Sequence, residues 1–130
     1  MRAIVFGAAL AASVWAGQAA AQDVAAGERV FGQCRACHQV GETARNGIGP
    51  QLNGLFGRKA GTVEGYAYSP ANKASELTWD EANFRDYIKD PKAMVPGTKM
   101  IFAGLKSEQQ VKDITAYLKQ FDAKGEKSAN

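Results

Sequence analysis

The chain has 130 residues, with 16 basic and 13 acidic side chains and a formal net charge of +3. This length fits one folded domain and leaves no room for two. So small a net charge gives no indication of a nucleic-acid partner. After residue 21, charges or glycine interrupt every apolar stretch, so we expect no stable insertion into a membrane.

The first 21 residues have the pattern of a secretory signal peptide. Arg2 precedes an apolar run over 3–16, and a small-x-small pattern predicts cleavage before Gln22. An uncleaved membrane anchor is the alternative, although the run is short and rich in alanine for a transmembrane span. We expect residues 1–21 to be removed and residues 22–130 to form one domain in the periplasm.

The first predicted helix begins after Asp23, whose side chain can cap it, and continues to about residue 36. Gly27 and Phe31 lie four positions apart and therefore share one face of this helix. A glycine on that face allows another helix to approach closely. The simpler interpretation is only that the helix is amphipathic.

The end of this helix carries the clearest chemical motif of the chain. The two cysteines of the sequence, Cys34 and Cys37, and its one histidine, His38, fall in a single CxxCH window. This spacing is typical of c-type haem attachment, in which two thiols on one turn add to the two vinyl groups of a haem edge. The neighbouring imidazole then reaches the iron.

Two other interpretations of the cysteines are weaker. A structural zinc site needs four nitrogen or sulfur ligands, and the sequence has no further Cys or His. A redox dithiol of the thioredoxin kind needs a strand before the motif and a parallel sheet behind it, which the flanking sequence does not predict. We therefore expect one covalently attached haem c.

The middle of the chain combines loops and short helices. Residues 41–65 contain seven glycines and are predicted to be irregular. Ser69 and Pro70 then predict a short helix with proline at its first position. Thr78 with Glu81 predicts a capping box for a second one, which ends at Asp90 and Pro91. 

A sixth iron ligand is expected from methionine, because a second histidine is absent from the sequence. Met1 leaves with the signal peptide, so the candidates are Met94 and Met100. Met100 follows Pro96 and Gly97 in a turn-rich loop that can hold a thioether against a metal. Context therefore favours Met100, whereas a methionine elsewhere is more often core filler.

The last predicted helix begins at Ser107, which forms a capping box with Gln110. Its apolar positions follow the helical period towards Gly125. They are Val111, Ile114, Leu118 and Phe121. We expect this helix to cross the first one.

The CxxCH motif, Gly49-Pro50 and the loop around Met100 together resemble class I cytochrome c, in particular its mitochondrial type and the bacterial cytochrome c2 relatives. The likeness covers residues 23–121 and includes the 54–59 segment. It implies an all-α fold in which the terminal helices cross and two to three shorter helices and long loops wrap around one haem. It also implies Met100 over Met94 as the ligand.

The resemblance further implies a set of polar groups around the haem. Pro50 is expected to present its carbonyl to Nδ1 of His38. The groups expected near the methionine sulfur are Asn72, Tyr87 and Thr98. The groups expected to receive the buried propionates are Arg58, Tyr68 and Trp79. For each of these, ordinary core or surface packing is the alternative.

One stretch of the chain carries lysines without acids. Residues 91–107 contain Lys92, Lys99 and Lys106 and no Asp or Glu. We expect these lysines, with Arg35, to surround the haem edge and to dock transiently on acidic surfaces of membrane redox complexes. For any one of them, a solvated surface charge is the simpler alternative.

These features predict a monomeric one-electron carrier between a bc1-type donor and a terminal oxidase or photosynthetic reaction centre. Two other functions remain open: an enzyme such as a haem peroxidase or nitrite-handling protein, and a gas-binding sensor. Both need an open sixth position on the iron, and a dihaem peroxidase needs a second CxxCH, which is absent from the sequence. A subunit permanently bound to an oxidoreductase is a further alternative.

Overall fold

The computed structural model describes residues 7–9, 11–12 and 23–128, so the predicted signal peptide lies almost wholly outside the described residues. The described helices are α1 (Val24–Phe31), α2 (Pro70–Ala74), α3 (Glu81–Lys89), α4 (Pro91–Met94) and α5 (Glu108–Lys119). Backbone pairing outside helices is limited, in these ranges, to turns, loops and two isolated bridges. No helix of the described part is long and apolar enough to cross a bilayer. The predicted all-α class is confirmed.

Helix α1 begins where the capping residue predicted it. The side chain of Asp23 accepts a hydrogen bond from the Ala26 amide at 3.0 Å. The helix ends at Phe31, however, earlier than the predicted residue 36. Glycine is a poor helix former, and the Gly32 amide bonds to the Arg29 carbonyl three residues back. Residues 32–37 therefore form turns instead of continuing the helix.

Helix α5 also starts at its predicted cap, where Ser107 Oγ accepts a hydrogen bond from the Gln110 amide at 3.3 Å. The reciprocal bond of a capping box does not form among the described residues. The helix ends at Lys119, earlier than the predicted Gly125, and Asp122 Oδ1 accepts two backbone amides of the turn that follows. The 121–128 segment consequently folds back beside the helix.

The crossing of α1 and α5 is the main helix contact. A Cβ atom on Gly27 would lie 2.0 Å from the Asp113 carbonyl oxygen, so only glycine allows this approach. Phe31, Ile114 and Leu118 are each 1% exposed beside the crossing. Burying one such side chain stabilises the fold by about 2–3 kcal/mol. The predicted crossing is confirmed.

The three shorter helices lie between these two in the sequence. Ser69 Oγ caps α2 by accepting the Asn72 amide at 3.1 Å, as predicted. The capping box of α3 is formed by Asp80 and Asn83, and the predicted pair of Thr78 and Glu81 was wrong. Thr78 instead pairs with Lys59 in an isolated bridge, and its carbonyl accepts a hydrogen bond from Asn83 Nδ2.

Backbone bonds fix the two loops that flank the centre of the molecule. The amides of Ala60 and Trp79 bond to the carbonyls of Leu77 and Arg58 at 2.7 and 2.9 Å. On the other side, the Leu105 amide bonds to Ile88 at 2.8 Å. The loops before α2 and after α4 therefore form two walls around an interior space.

Candidate functional site

A cavity of about 400 Å³ lies between these walls, and its surface is mainly apolar. All eleven side chains that the sequence predicted around a haem line it. They are Cys34, Cys37, His38, Pro50, Arg58, Tyr68, Asn72, Trp79, Tyr87, Thr98 and Met100. Six come from loops before α2 and five from α2 and beyond, so only the folded chain brings them together.

The two cysteines and the histidine lie on one tight turn. The amides of Cys37 and His38 both bond to the Cys34 carbonyl, at 3.0 and 2.9 Å. Burial, followed by the neighbouring Cys37, raises the pKa of the Cys34 thiol to about 11. Both cysteines line the same mainly apolar cavity, as addition to one edge of a flat cofactor requires.

His38 is oriented by a backbone acceptor. Its Nδ1 lies 2.7 Å from the Pro50 carbonyl oxygen, and because that oxygen only accepts, Nδ1 carries the proton. Burial lowers the pKa of His38, and the Pro50 bond opposes this effect. The ring is therefore neutral, with the lone pair of Nε2 available to a metal. A Cβ on Gly49 would lie 2.4 Å from Cε1 of the ring, so glycine is required there.

The sulfur of Met100 is held by a phenol. Tyr87 Oη donates a hydrogen bond to Met100 Sδ at 3.2 Å, and burial raises the pKa of Tyr87, which keeps it a donor. Thr98 Oγ1 accepts the Met100 amide at 3.3 Å. Met94 packs against the core and does not line the cavity.

One side of the cavity offers polar groups in an otherwise apolar wall. Arg58 Nη1 donates to the carbonyls of Gln51 and Asn53, each at 3.1 Å, and burial lowers its pKa without removing its charge. Asn72 Oδ1 is buried without a hydrogen-bond partner in the described structure. A buried cation and an unsatisfied amide beside an apolar space suit a ligand with anionic groups on an apolar ring.

Of the four cations expected at a docking surface, Lys99 alone lines the cavity in the described chain. Its Nζ also bonds to the Ala67 carbonyl and lies 4.4 Å from the ring centre of Tyr66. Arg35 instead forms an ion pair with Glu28. The remaining two are placed differently again: Lys106 bonds to a backbone carbonyl, and Lys92 is exposed on α4.

Sequence reasoning missed several side chains at this site. Ile48 and Ile101 are 75% and 93% exposed and line the cavity, so they stand at its mouth. The hydroxyl of Tyr66 donates a hydrogen bond to the Ile48 carbonyl at 2.7 Å and so joins two loops at the mouth of the cavity. The sequence could not have indicated the isoleucines, because nothing local in a glycine-rich loop shows that an isoleucine is exposed. Tyr66 could have been found, because it lies two positions before the predicted Tyr68.

Two thiols on one turn, a neutral imidazole, a thioether and an apolar cavity with one polar side define a protein that holds a haem covalently. The sequence model of the family described as Cytochrome c matches residues 24–122. The chain therefore belongs to the cytochrome c family.

Curated relatives agree with this assignment. The chain is 62% identical to "Cytochrome c2" of Blastochloris viridis over 128 residues, which cover 98% of this chain and 99% of the relative. It is 59% identical to "Cytochrome c-550" of Nitrobacter winogradskyi over 82% of this chain and 98% of that protein. Its relatives place it among class I, cytochrome c2-type proteins.

A solved structure supports the fold. Cytochrome cH from Methylobacterium extorquens is 51% identical, has a TM-score of 0.70, and is matched over 97% of its length by 75% of this chain. The predictions of one covalently attached haem c and of an electron-transfer protein in place of an enzyme are confirmed by these comparisons. The apolar cavity and its donor set fit that cofactor.

Proposed function

We propose that Cys34 and Cys37 attach the haem and that His38 and Met100 are its two axial ligands. The observation that carries this proposal is the hydrogen bond from Tyr87 to Met100 Sδ, which orients a thioether into the same cavity as the imidazole. A haem supplies a single-electron couple when bound. With both axial positions filled by side chains, there is no vacancy for a substrate, and a thioether favours the reduced state.

The polar set has two roles in this proposal. Arg58, Tyr68 and Trp79 receive the propionates, because burying negative charge requires donors or a cation. Asn72 and Thr98, with Tyr87, adjust the polarity around the sulfur. The Pro50 carbonyl holds the proton on Nδ1 of His38 and strengthens Nε2 as a donor.

The mouth of the cavity is the proposed docking surface. Ile48 and Ile101 offer an exposed apolar centre, and Lys99 adds positive charge beside it. Lys92 and Lys106 extend the same acid-free stretch, whereas Arg35 forms an ion pair with Glu28 within the chain. An acidic partner surface with an apolar centre fits this arrangement, and it allows transient contact.

We further propose that the chain is exported to the periplasm after removal of residues 1–21. There it acts as a monomeric, soluble carrier that takes electrons from a bc1-type complex and delivers them to a terminal oxidase or photosynthetic reaction centre. The signal-peptide pattern and the cytochrome c2-type relatives support this location and role.

The test compares Met100→Ala with Met94→Ala in the haem-loaded protein. Met100→Ala is expected to abolish the ferric absorption band at the red edge that reports thioether ligation and to lower the reduction potential. Met94→Ala is the matched control, because that side chain packs against the core away from the cavity. A Met100→Ala protein that keeps the band and the potential would contradict the ligand assignment.

A further inference from the structure

We propose that Asn53 is a positioning residue for His38 and that the C-terminal turn formed by residues 120–128 holds Asn53 in place. The inference rests on the proposed role of His38 as an axial ligand. Neither the haem-attachment motif nor the predicted polar set includes Asn53.

Asn53 closes the loop that carries Pro50. Its side chain is 7% exposed and makes two hydrogen bonds to one residue. Oδ1 accepts the Gly41 amide at 2.9 Å, and Nδ2 donates to the Gly41 carbonyl at 2.8 Å. Both bonds span twelve residues of sequence, so they join the beginning of the loop to its end.

The loop closed in this way is bonded directly to the haem-attachment turn. The Gly49 amide bonds to Cys37 at 2.8 Å, and the Leu52 amide bonds to Gln39 at 3.0 Å. Pro50 lies between these two anchors and accepts the Nδ1 proton of His38. Since Asn53 immediately follows the second anchor, its two bonds determine how firmly the Pro50 carbonyl is held.

Asn53 is also joined to the polar side of the cavity. The backbone carbonyl of Asn53 accepts a hydrogen bond from Arg58 Nη1 at 3.1 Å, and its backbone amide donates one to Gln51 Oε1 at 2.6 Å. The backbone of Asn53 therefore connects the loop of the proximal histidine to the buried cation, while its side chain fixes that backbone to Gly41. The Asn53 side chain is held firmly because both its polar atoms are bonded, and breaking either bond leaves a buried polar group without that partner.

The C-terminal turn covers this connection. A Cβ on Gly125 would lie 2.1 Å from the Gly41 carbonyl oxygen and 2.7 Å from Asn53 Nδ2, so the Gly125 backbone packs directly against the bond between these two atoms. Asp122 organises the turn, because its Oδ1 accepts the amides of residues 124 and 126. The Gly54 amide adds a bond to the Phe121 carbonyl at 3.1 Å.

How firmly the loop holds the Pro50 carbonyl affects how strongly the imidazole donates its electron pair to a metal. A firm bond from Nδ1 to Pro50 makes the ring a stronger donor through Nε2, which favours the oxidised state. Loss of the Asn53 side chain loosens the loop, weakens that bond and makes the ring a weaker donor. We therefore expect the reduction potential to rise.

The experiment uses Asn53→Ala in the haem-loaded protein. Two quantities are measured: the hydrogen-exchange rate of the His38 Nδ1 proton by NMR, and the reduction potential. We expect exchange to be faster by about tenfold or more, because the loop opens locally, together with a higher potential. Asn83→Ala is the matched control, since it removes a bonded asparagine from the α3 capping box, far from this loop in sequence.

The proposal is overturned if Asn53→Ala leaves either quantity at the wild-type value or changes both no more than Asn83→Ala does. If Asn53→Ala does not assemble with haem, Asp122→Ala is used instead, with the same two expected changes and the same criterion. The ligand assignment is judged separately by Met100→Ala, so failure of one proposal is distinguishable from failure of the other.

Discussion

The hydroxyl of Tyr87 donates a hydrogen bond to the sulfur of Met100 across 3.2 Å. Such a bond draws electron density from the thioether and so favours the reduced state of the protein. Tyr87→Phe is therefore expected to lower the reduction potential by about 20–60 mV, the equivalent of one ordinary hydrogen bond in a one-electron couple. Direct electrochemistry of the haem-loaded protein measures this.

The control for that substitution is Tyr66→Phe, which removes a hydroxyl from the mouth of the cavity without touching the sulfur. Its potential is expected to stay close to that of the wild type. A Tyr87→Phe protein with an unchanged or higher potential would show that the bond to Met100 does not tune the couple.

The contact of Gly27 with α5 predicts a large loss of stability. In Gly27→Ala, the new methyl group would lie 2.0 Å from a backbone oxygen of Asp113, which cannot rotate away. The helices must separate, and we expect the free energy of unfolding to fall by about 2 kcal/mol or more. Denaturant titration measures this, with Ala25→Ser on the exposed side of α1 as control. Equal stability of the two variants would contradict the close crossing.

Glu76 is the one non-glycine residue of the described chain with a positive φ, at 56°. A side chain in this region is strained, and glycine relieves the strain at some cost in chain entropy. Glu76→Gly is therefore expected to raise the free energy of unfolding by about 0.5–1 kcal/mol. Glu76→Ala keeps the strain and serves as control in the same thermal or denaturant series. A loss of stability in Glu76→Gly would refute the argument.

The buried phenol of Tyr117 predicts a dependence of stability on pH. Burial raises the pKa of Tyr117 above its ordinary value of 10.0. The unfolded chain thus loses its proton first as pH rises, so the folded state is progressively disfavoured above about pH 10. In Tyr117→Phe we expect the decline in unfolding free energy between about pH 9 and 11 to be shallower. The residual decline belongs to Tyr68 and Tyr87, whose pKa values are also raised.

The difference between two lysines predicts which charge matters for docking. Lys99 lines the cavity mouth and Lys106 does not, although each ammonium bonds to a backbone carbonyl, Lys99 to Ala67 and Lys106 to Lys89. At low ionic strength, Lys99→Gln is expected to slow second-order electron transfer with an isolated bc1-type complex by about two- to fivefold. Lys106→Gln, which removes the same charge, is expected to change it less. Stopped-flow measurement that finds equal effects would show that total charge governs the encounter.

Local sequence patterns determined the chemistry and most of the helices of this protein. The CxxCH window contains every cysteine and histidine of the chain, so the sequence alone leads to the proposed haem-attachment residues. Asp23, Ser69 and Ser107 cap helices as predicted, because a capping bond joins residues three apart and needs no distant neighbour.

The wrong predictions concerned the start of one helix and the end of another. For α3, the predicted capping residue was Thr78, but Asp80 caps the helix and Thr78 forms a bridge with a residue nineteen positions earlier. For α1, the predicted end at about residue 36 was wrong, because the chain forms turns from Gly32 onwards. At the start of α3, a long-range contact of the predicted capping residue therefore outweighed the local sequence pattern.

By itself, the sequence determined which residue types can hold the cofactor and where α1, α2 and α5 begin. Only the tertiary structure decided that Arg35 is engaged by Glu28, that Ile48 stands exposed at the cavity mouth, and that Asn53 is buried beneath the C-terminal turn. The physical reason is the range of the forces involved. Periodicity and capping act within a few residues, whereas burial and ion pairing depend on which distant parts of the chain meet.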